Sequence, residues 1–294
     1  MGEFGTILQL FLRSLETGSV FALTALGIII IFRTSLIIHF AQGTMSMFGT
    51  FAVAALVAAY KVPLWLGLIG GMLCAALMGF LVDFLVIRRT KKVSAVGKEI
   101  ITLALIMVFL GLAPMIFGVE SLMLSRFIPS GDLALGGASI SYNAILNIIT
   151  GIAIMGVLFF ILQKTKFGLA VRTTASNEQT ARLMGVNTRY VTLAAWIVAG
   201  MLGVVAGTMI APATSVNVGL MNPVQLGALL ACVLGGFQTF YGPVIGAYIV
   251  GIVPNFLSYY VSSVWGAQIM YVLILVFLLI RPNGLVGKKY VKKV

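Results

Sequence analysis

Two short polar segments interrupt stretches of the chain that are otherwise apolar. The first reads His39-Phe40-Ala41-Gln42-Gly43-Thr44 and holds the single histidine of the sequence. The second runs from Gly235 to Pro243 and combines glycines with a glutamine, a threonine and a Gly-Pro pair. Imidazole and amide side chains supply hydrogen-bond donors and acceptors without a fixed charge. In an apolar environment such groups are costly unless they face protein or a water-filled cavity.

A corresponding pair of interrupted apolar segments, one in each terminal third of the chain, is typical of a solute path built from discontinuous helices. Gly and Gly-Pro cannot continue a helix without disruption. Each segment can also be a simple connection between two helices near a membrane face, and for the second segment both interpretations stay open. The candidate path residues are His39, Phe40, Gln42, Gly43, Thr44, Gly235, Gly236 and Gln238.

Other chemistries find little support in the residue types. No Asp, Glu or Cys is close to His39 in the sequence, so neither a metal site nor a cofactor is expected. No pair of acids lies at mid-span, which argues against a proton- or sodium-driven transporter. No paired-acid, Ser/Lys or His/Asp constellation suggests an enzyme. Asp83 precedes Arg88 by about one helical turn, and we expect these two to form an ion pair.

The distribution of charge indicates a membrane protein. Hydrophobic residues make up 61% of the chain and charged residues 9%, and most of the 19 lysines and arginines fall into three clusters. Short basic loops stay in the cytoplasm during membrane insertion, so we expect the N-terminus outside and the C-terminus inside. The net charge of +12 then suits anionic lipids rather than nucleic acid. The clusters are Arg88, Arg89, Lys91, Lys92 and Lys98, then Lys164, Lys166, Arg172, Arg182 and Arg189, then Arg281, Lys288, Lys289, Lys292 and Lys293.

Apolar runs alternate with polar breaks along the whole chain. Because a span needs about 20 apolar residues, the pattern predicts an all-α polytopic membrane protein of about eight or nine transmembrane helices, some broken or re-entrant. We expect a single transmembrane domain over residues 1–294, with an extracytoplasmic loop at 118–141, a cytoplasmic loop at 164–190 and a basic cytoplasmic tail at 281–294. In the outer loop, candidate polar contacts for a partner are Glu120, Arg126 and Asp132.

The cytoplasmic loop contains both a helix start and a helix stop. Ser176 followed by Gln179 matches a capping box, and Gly185 is a natural C-terminal stop. A helix this short is unstable in water and must rest on a membrane or a protein. Its apolar tip favours docking into a protein groove, and a position on the lipid surface is the alternative. The predicted docking residues are Ser176, Glu178, Ala181, Arg182, Leu183, Met184 and Gly185.

Four sequence blocks, spread over nearly the whole chain, carry a family resemblance. They are His39 to Gly43, Arg172 to Val186, Leu234 to Gly236 with Tyr241 to Ala247, and Arg281 to Leu285. These blocks resemble the motifs of the membrane-spanning permease subunits of branched-chain amino acid ABC transporters, the LivH type. The first block departs from the family, which usually has Asn where this chain has His39.

The resemblance implies a transport subunit, not an enzyme, in the cell (plasma or inner) membrane. It implies three kinds of partner: a second permease chain, identical or homologous, two ATP-binding subunits, and an extracytoplasmic solute-binding protein. The short loop helix would then be the coupling helix that docks into an ATP-binding subunit. The sequence has no Walker-type phosphate-binding loop, so ATP hydrolysis is expected on another chain. The implied solute is a branched-chain amino acid. The alternatives are a urea or short-chain amide permease and an ATP-independent channel or facilitator.

Overall fold

The computed structural model describes residues 3–90 and 93–287, and these are almost entirely helical. Apolar runs form helices because in a bilayer a helix satisfies its backbone N–H and C=O groups within one segment. The helices are α1 (Glu3–Ser35), α2 (Gln42–Tyr60), α3 (Leu64–Leu81), α4 (Ala95–Phe117), α5 (Tyr142–Lys164), α6 (Lys166–Ser176), α7 (Glu178–Leu183), α8 (Thr188–Thr214), α9 (Asn222–Gly235), α10 (Gly242–Tyr260) and α11 (Gly266–Ile280).

Four shorter elements complete the fold. A π-helical turn (Val82–Val86) and a 3-10 turn (Ile87–Arg89) extend α3. Strands β1 (Asp132–Leu135) and β2 (Ala138–Ser141) form an antiparallel hairpin. Several members of the predicted basic clusters lie outside the described residues, namely Lys91, Lys92, Lys288, Lys289, Lys292 and Lys293.

Seven helices in the described part of the chain are long and apolar enough to cross a membrane. They are α1, α2, α3 with its extension, α4, α5, α8 and α10. Two further apolar helices, α9 and α11, have only 14 and 15 residues. The expected polytopic all-α membrane protein with some shortened helices is therefore confirmed.

α1 and α8 form the centre of the bundle. α1 packs against α8, α9 and α10, while α2 and α3 cover another side of α8. Every residue of α1 from Ala22 to Ile31 is buried, so protein encloses this part of the helix. Small residues allow close helix packing, as is usual in membranes. A Cβ atom added to Gly79 of α3 would lie only 2.6 Å from the carbonyl oxygen of Trp196 on α8.

The peripheral helices present large apolar side chains outward. Only 17% of the most apolar part of α4 is buried, against 67% for α8. Met115 on α4 and Ile280 on α11 are among the most exposed apolar residues. An apolar surface of this extent is stable only against lipid acyl chains or another membrane protein.

The two ends of the bundle differ in chemistry. The hairpin end contains β1, β2 and the start of α5, and a backbone bridge between Leu122 and Val216 joins its loops. The basic end contains Lys164 at the end of α5, helices α6 and α7, and the start of α8. α5 and α8 connect these ends over about 35–40 Å at 1.5 Å per residue, which is enough to cross a bilayer.

Candidate functional site

The first polar segment folds back into the interior of the protein. α1 ends at Ser35, and Leu36 takes a left-handed conformation with φ of 54°. The chain then has no regular structure until α2 begins at Gln42. His39 and Gln42 are both fully buried. The polar break seen in the sequence is thus a return of the backbone into the core.

Two hydrogen bonds to neighbouring helices fix the depth of this segment. Gln42 Nε2 donates to the carbonyl oxygen of Ala199 on α8 at 2.7 Å, and the Phe40 N–H donates to Thr102 Oγ1 on α4 at 3.3 Å. At about 1.5 Å per residue, Ala199 lies roughly 17 Å from the basic end of α8 and roughly 22 Å from its other end. The start of α2 therefore lies near mid-depth.

Several buried polar atoms around this segment have no hydrogen-bond partner among the described residues. They are Nδ1 and Nε2 of His39, Oε1 of Gln42, Nε1 of Trp196 and Oε1 of Gln225. The His39 and Trp196 rings are in contact, with centroids 4.5 Å apart. Each unpaired buried polar group costs about 1–3 kcal/mol, so their concentration at one place requires an explanation. We call His39, Gln42, Trp196 and Gln225 the central polar cluster.

Gln225 covers the start of α2 but is weakly held there. Its Nε2 donates to the carbonyl oxygen of His39 at 3.5 Å, the upper limit for a hydrogen bond. A Cβ atom added to Gly43 would lie 2.9 Å from Cβ of Gln225 and 3.2 Å from its Oε1. The absence of a side chain at Gly43 is therefore what lets α9 pack over this helix end.

The N-terminus of α2 adds unsatisfied backbone donors to the cluster. Ala41 occupies the N-cap position, and no side chain among the described residues caps the helix. The N–H groups of Gly43 and Thr44, both in buried residues, meet no acceptor in the part of the chain that the structure describes. Because a helix N-terminus also carries a partial positive charge, this end of α2 is suited to an anionic group.

The second polar segment lies at the basic end, away from the central polar cluster. It connects α9 to α10, and Phe237 packs against Phe32 near the end of α1 with ring centroids 4.7 Å apart. Gly236 has φ of 91°, a conformation that glycine adopts readily. This is the geometry of a helix connection at one end of the bundle. That the segment lines the same path as the first remains a prediction for Gly235, Gly236 and Gln238.

The sequence predicts the short helix of the loop but misplaces its cap. α7 begins at Glu178, and the Asn177 side chain caps it by accepting from the Thr180 N–H at 3.0 Å. Ser176 is instead the last residue of α6. The expected capping box is wrong by one residue, because Asn177 has the extended backbone, with φ of −158°, that an N-cap requires.

The C-terminal end of α7 closes at Gly185 as predicted. Gly185 has φ of 81°, its N–H donates to the carbonyl oxygen of Arg182, and the Val186 N–H donates to that of Ala181. These two bonds form a Schellman motif. Within the helix, Arg182 pairs with Glu178. The segment is therefore a well-defined turn of helix and not an open loop.

The tip of α7 is apolar and unpacked. Leu183 is 89% exposed and Met184 72%, whereas Ala181 on the opposite face is buried. Exposing two large apolar side chains on a capped helix is unfavourable unless they are covered. The tip is therefore suited to contact with a further surface.

A buried ion pair lies within the extension of α3, and its arginine also contacts the start of α8. Arg88 Nε donates to Oδ2 of Asp83 at 2.7 Å, and Asp83 is only 1% exposed. Arg88 also donates to the backbone carbonyl of Arg189 at 3.4 Å. The ion pair expected from the sequence is confirmed. It borders a cavity of about 580 Å³ at the basic end, which is also lined by Glu178 and Arg182 of α7.

A smaller cavity, of about 300 Å³, opens at the hairpin end between α1, β2 and α5. Its charged lining residues are Arg13, Glu16, Arg126 and Asp132. Asn147 of α5 donates to Glu16 at 2.7 Å and so joins this cavity to the bundle. Arg126 and Asp132 were predicted as polar contacts of the outer loop, and Glu120 is likewise exposed.

Sequence reasoning missed three residues that surround the first polar segment, namely Thr102, Trp196 and Gln225. Each lies in an apolar helix far along the chain, and no local pattern marks it. Gln225 alone gave a weak signal, because a glutamine just after Asn222-Pro223 stands near a helix start in an apolar run.

Together these features define a class of protein. A bundle of membrane-spanning helices with an uncharged polar cluster at mid-depth, and with a short helix at one end that exposes an apolar tip, is typical of a membrane transport subunit. The chain matches the family model of the branched-chain amino acid transport system permease component over residues 10–279, and it belongs to that family. It is a multi-pass inner-membrane protein and the permease subunit of an ABC importer.

Individual relatives are transport permease proteins as well. The chain is 28% identical over 287 residues to a probable branched-chain amino acid transport permease protein, LivH, from Methanocaldococcus jannaschii, covering 92% of this chain and 89% of the relative. It is 32% identical over 206 residues to an L-arabinose ABC transporter permease protein, AraH, from Azospirillum brasilense, covering 66% and 56% of the two chains.

A solved structure shares the fold. The structure of PsaBC from Streptococcus pneumoniae in complex with Fab superimposes with a TM-score of 0.52. The match covers 94% of this chain and 91% of the other, at 14% sequence identity.

Proposed function

We propose that this permease subunit carries branched-chain amino acids and that the solute passes the central polar cluster. The family and the LivH relative support this solute class. The single observation that carries the path is the set of unpartnered polar atoms at mid-depth. Groups of this kind are retained inside a membrane protein where they meet a solute or water. We assign the path to His39, Phe40, Gln42, Gly43 and Thr44, with the turn at Gly235, Gly236 and Gln238 at its basic end.

The basic end is proposed to face the cytoplasm and to dock the ATP-binding subunits. The positive-inside rule supports this orientation, and the exposed apolar tip of α7 supports docking there. In this scheme two ATP-binding subunits bind below a pair of permease chains, identical or homologous. The extracytoplasmic solute-binding protein then contacts the hairpin end, and the basic side chains contact anionic lipid headgroups.

Cysteine labelling tests the orientation. Asn187→Cys at the basic end is expected to react with a membrane-impermeant maleimide in inverted vesicles but not in intact cells. Ala134→Cys in the hairpin is expected to behave in the opposite way, and serves as the matched control. Labelling of Asn187→Cys from the outside of intact cells would show the opposite orientation and would contradict the docking proposal.

Uptake by the assembled importer in proteoliposomes tests the solute. We expect radiolabelled leucine, isoleucine and valine to enter only with ATP on the side of α7 and binding protein on the hairpin side. Excess arabinose or urea should not compete, because neither has the carboxylate and ammonium groups of an amino acid. Leucine entry without the ATP-binding subunits would instead establish a channel, and competition by arabinose or urea would change the solute class.

A further inference from the structure

The unpartnered groups around the start of α2 form two sets with opposite hydrogen-bonding character. The donors are the N–H groups of Gly43 and Thr44, the indole N–H of Trp196, and one ring N–H of His39. The acceptors are Oε1 of Gln42, Oε1 of Gln225 and the second ring nitrogen of His39. None of these groups carries a full charge when the imidazole is neutral. The site therefore suits a ligand that is neutral overall and carries both an acceptor group and a donor group.

We propose that this helix end is a binding station for the zwitterionic head of an α-amino acid. The carboxylate would accept from the α2 N-terminus, where the helix dipole favours negative charge. The ammonium group would donate to the side-chain oxygens of Gln42 and Gln225. The inference rests on the proposed function and deepens it, because it names the atoms that recognise the solute inside the permease.

Two independent observations point to a ligand here. The first is the uncapped and buried N-terminus of α2. The second is the pair of fully buried side chains, His39 and Gln42, which retain unpartnered atoms beside it. Backbone amides at mid-depth that are left without acceptors are expensive, and a carboxylate would satisfy both of them at once.

Gln225 acts as the cover of the station in this conformation. It packs directly over Gly43, while its only hydrogen bond to the first polar segment is the long one to the His39 carbonyl. A solute can replace this contact at small cost, because the replaced bond is weak. Movement of α9 away from α2 would then open the site.

Trp196 supplies a local readout of binding. The chain has three tryptophans, and the other two, Trp65 and Trp265, are 57% and 61% exposed. Replacing both with Phe leaves Trp196, which is fully buried and in contact with His39, as the sole indole. Binding at the station would change its hydrogen bonding and therefore its fluorescence emission.

The test titrates this single-tryptophan full-length chain, in lipid nanodiscs, with four probes. L-leucine and 4-methylpentanoate both carry the carboxylate, while leucinol and 3-methylbutylamine carry the ammonium group but no carboxylate. We expect leucine to shift the Trp196 emission and 4-methylpentanoate to do so at higher concentration. The two amines should bind roughly tenfold or more weakly than leucine, since a hydrogen bond to a charged group contributes about 1.5–3 kcal/mol.

Variants separate recognition from folding. His39→Leu removes a donor and an acceptor and is expected to weaken leucine binding about tenfold, whereas His39→Asn keeps both and should retain it. Gly43→Ala places a methyl group between the helix end and Gln225 and should abolish the response. Gly111→Ala on α4, where an added Cβ meets nothing within 4 Å, is the matched control and should bind normally.

The outcomes distinguish this inference from the proposed function. Leucine uptake by the importer without any emission change for leucine or 4-methylpentanoate would overturn the station and leave the function intact. Equal responses to leucine and leucinol would also overturn it. If a different α-amino acid is carried and shifts the emission, the station stands and only the branched-chain assignment fails. Arabinose and urea are titrated as negative controls, and an emission change with either would reject both.

Discussion

Replacing both Leu183 and Met184 by Asp is expected to reduce ATP-driven uptake by roughly a hundredfold. Both side chains project from the capped end of α7 and are largely exposed. Burying a Leu or Met side chain contributes about 1.5–3 kcal/mol, and a loss of about 3 kcal/mol weakens docking roughly a hundredfold. The measurements are leucine uptake by proteoliposomes and co-purification of the ATP-binding subunits with the permease.

The matched control exchanges the two side chains, as Leu183→Met with Met184→Leu. This variant keeps the apolar surface and its volume, so it should retain most of the uptake. If the aspartate variant carries leucine as well as the exchanged one, α7 does not dock through its tip. Loss of the aspartate variant from the membrane would show up as low yield and is checked by quantifying the chain in both preparations.

Asp83→Ala is expected to lower the free energy of unfolding by about 3 kcal/mol. Breaking a buried ion pair by removing one partner typically costs about 3–5 kcal/mol, because the remaining charge is left uncompensated. Arg88 is 28% exposed and keeps some contact with solvent, so we expect the lower end of this range. Unfolding by SDS titration in mixed micelles, followed by tryptophan fluorescence, measures the change.

A second pair of variants isolates the ion pair from the loss of volume. Asp83→Leu with Arg88→Met removes both charges and should recover most of the lost stability, since paired deletion of a buried ion pair is often nearly neutral. Glu99→Ala on α4 removes an acid for which no ion pair exists within the described residues, and it should change stability little. Equal losses for Glu99→Ala and Asp83→Ala would contradict a special role for the Asp83–Arg88 pair.

The helices could be predicted from the sequence because their cause is local. A long apolar run in a bilayer must satisfy its own backbone, so each run becomes a helix wherever it packs. The stop of α7 was equally local, since Gly185 adopts the left-handed conformation with little strain. The first residue of α7 could not be predicted from local sequence, because Ser176 and Asn177 can both cap a helix. The packing of α6, whose Val171 and Thr174 are buried, extends that helix through Ser176.

The first polar segment could be located from the sequence, but its surroundings could not. Gln42 bonds to Ala199, and Gln225 bonds to the carbonyl oxygen of His39. These partners lie far apart along the chain and come together only because α8 and α9 pack beside α2. The second segment resembles the first in composition, yet it lies at the end of α9, where it turns the chain at the basic end.

Sequence alone therefore determined that the chain spans a membrane, where its polar interruptions fall, and that a short helix with an apolar tip lies in the loop at 164–190. Each depends on residues close together in the chain, whose hydrophobicity and backbone preferences act locally. Only the tertiary structure decided that His39 and Gln42 would be buried at mid-depth, beside Trp196 and Gln225. The depth and partners of a side chain depend on the packing of distant helices, and that packing follows from how small residues and bulky side chains fit together across the whole bundle.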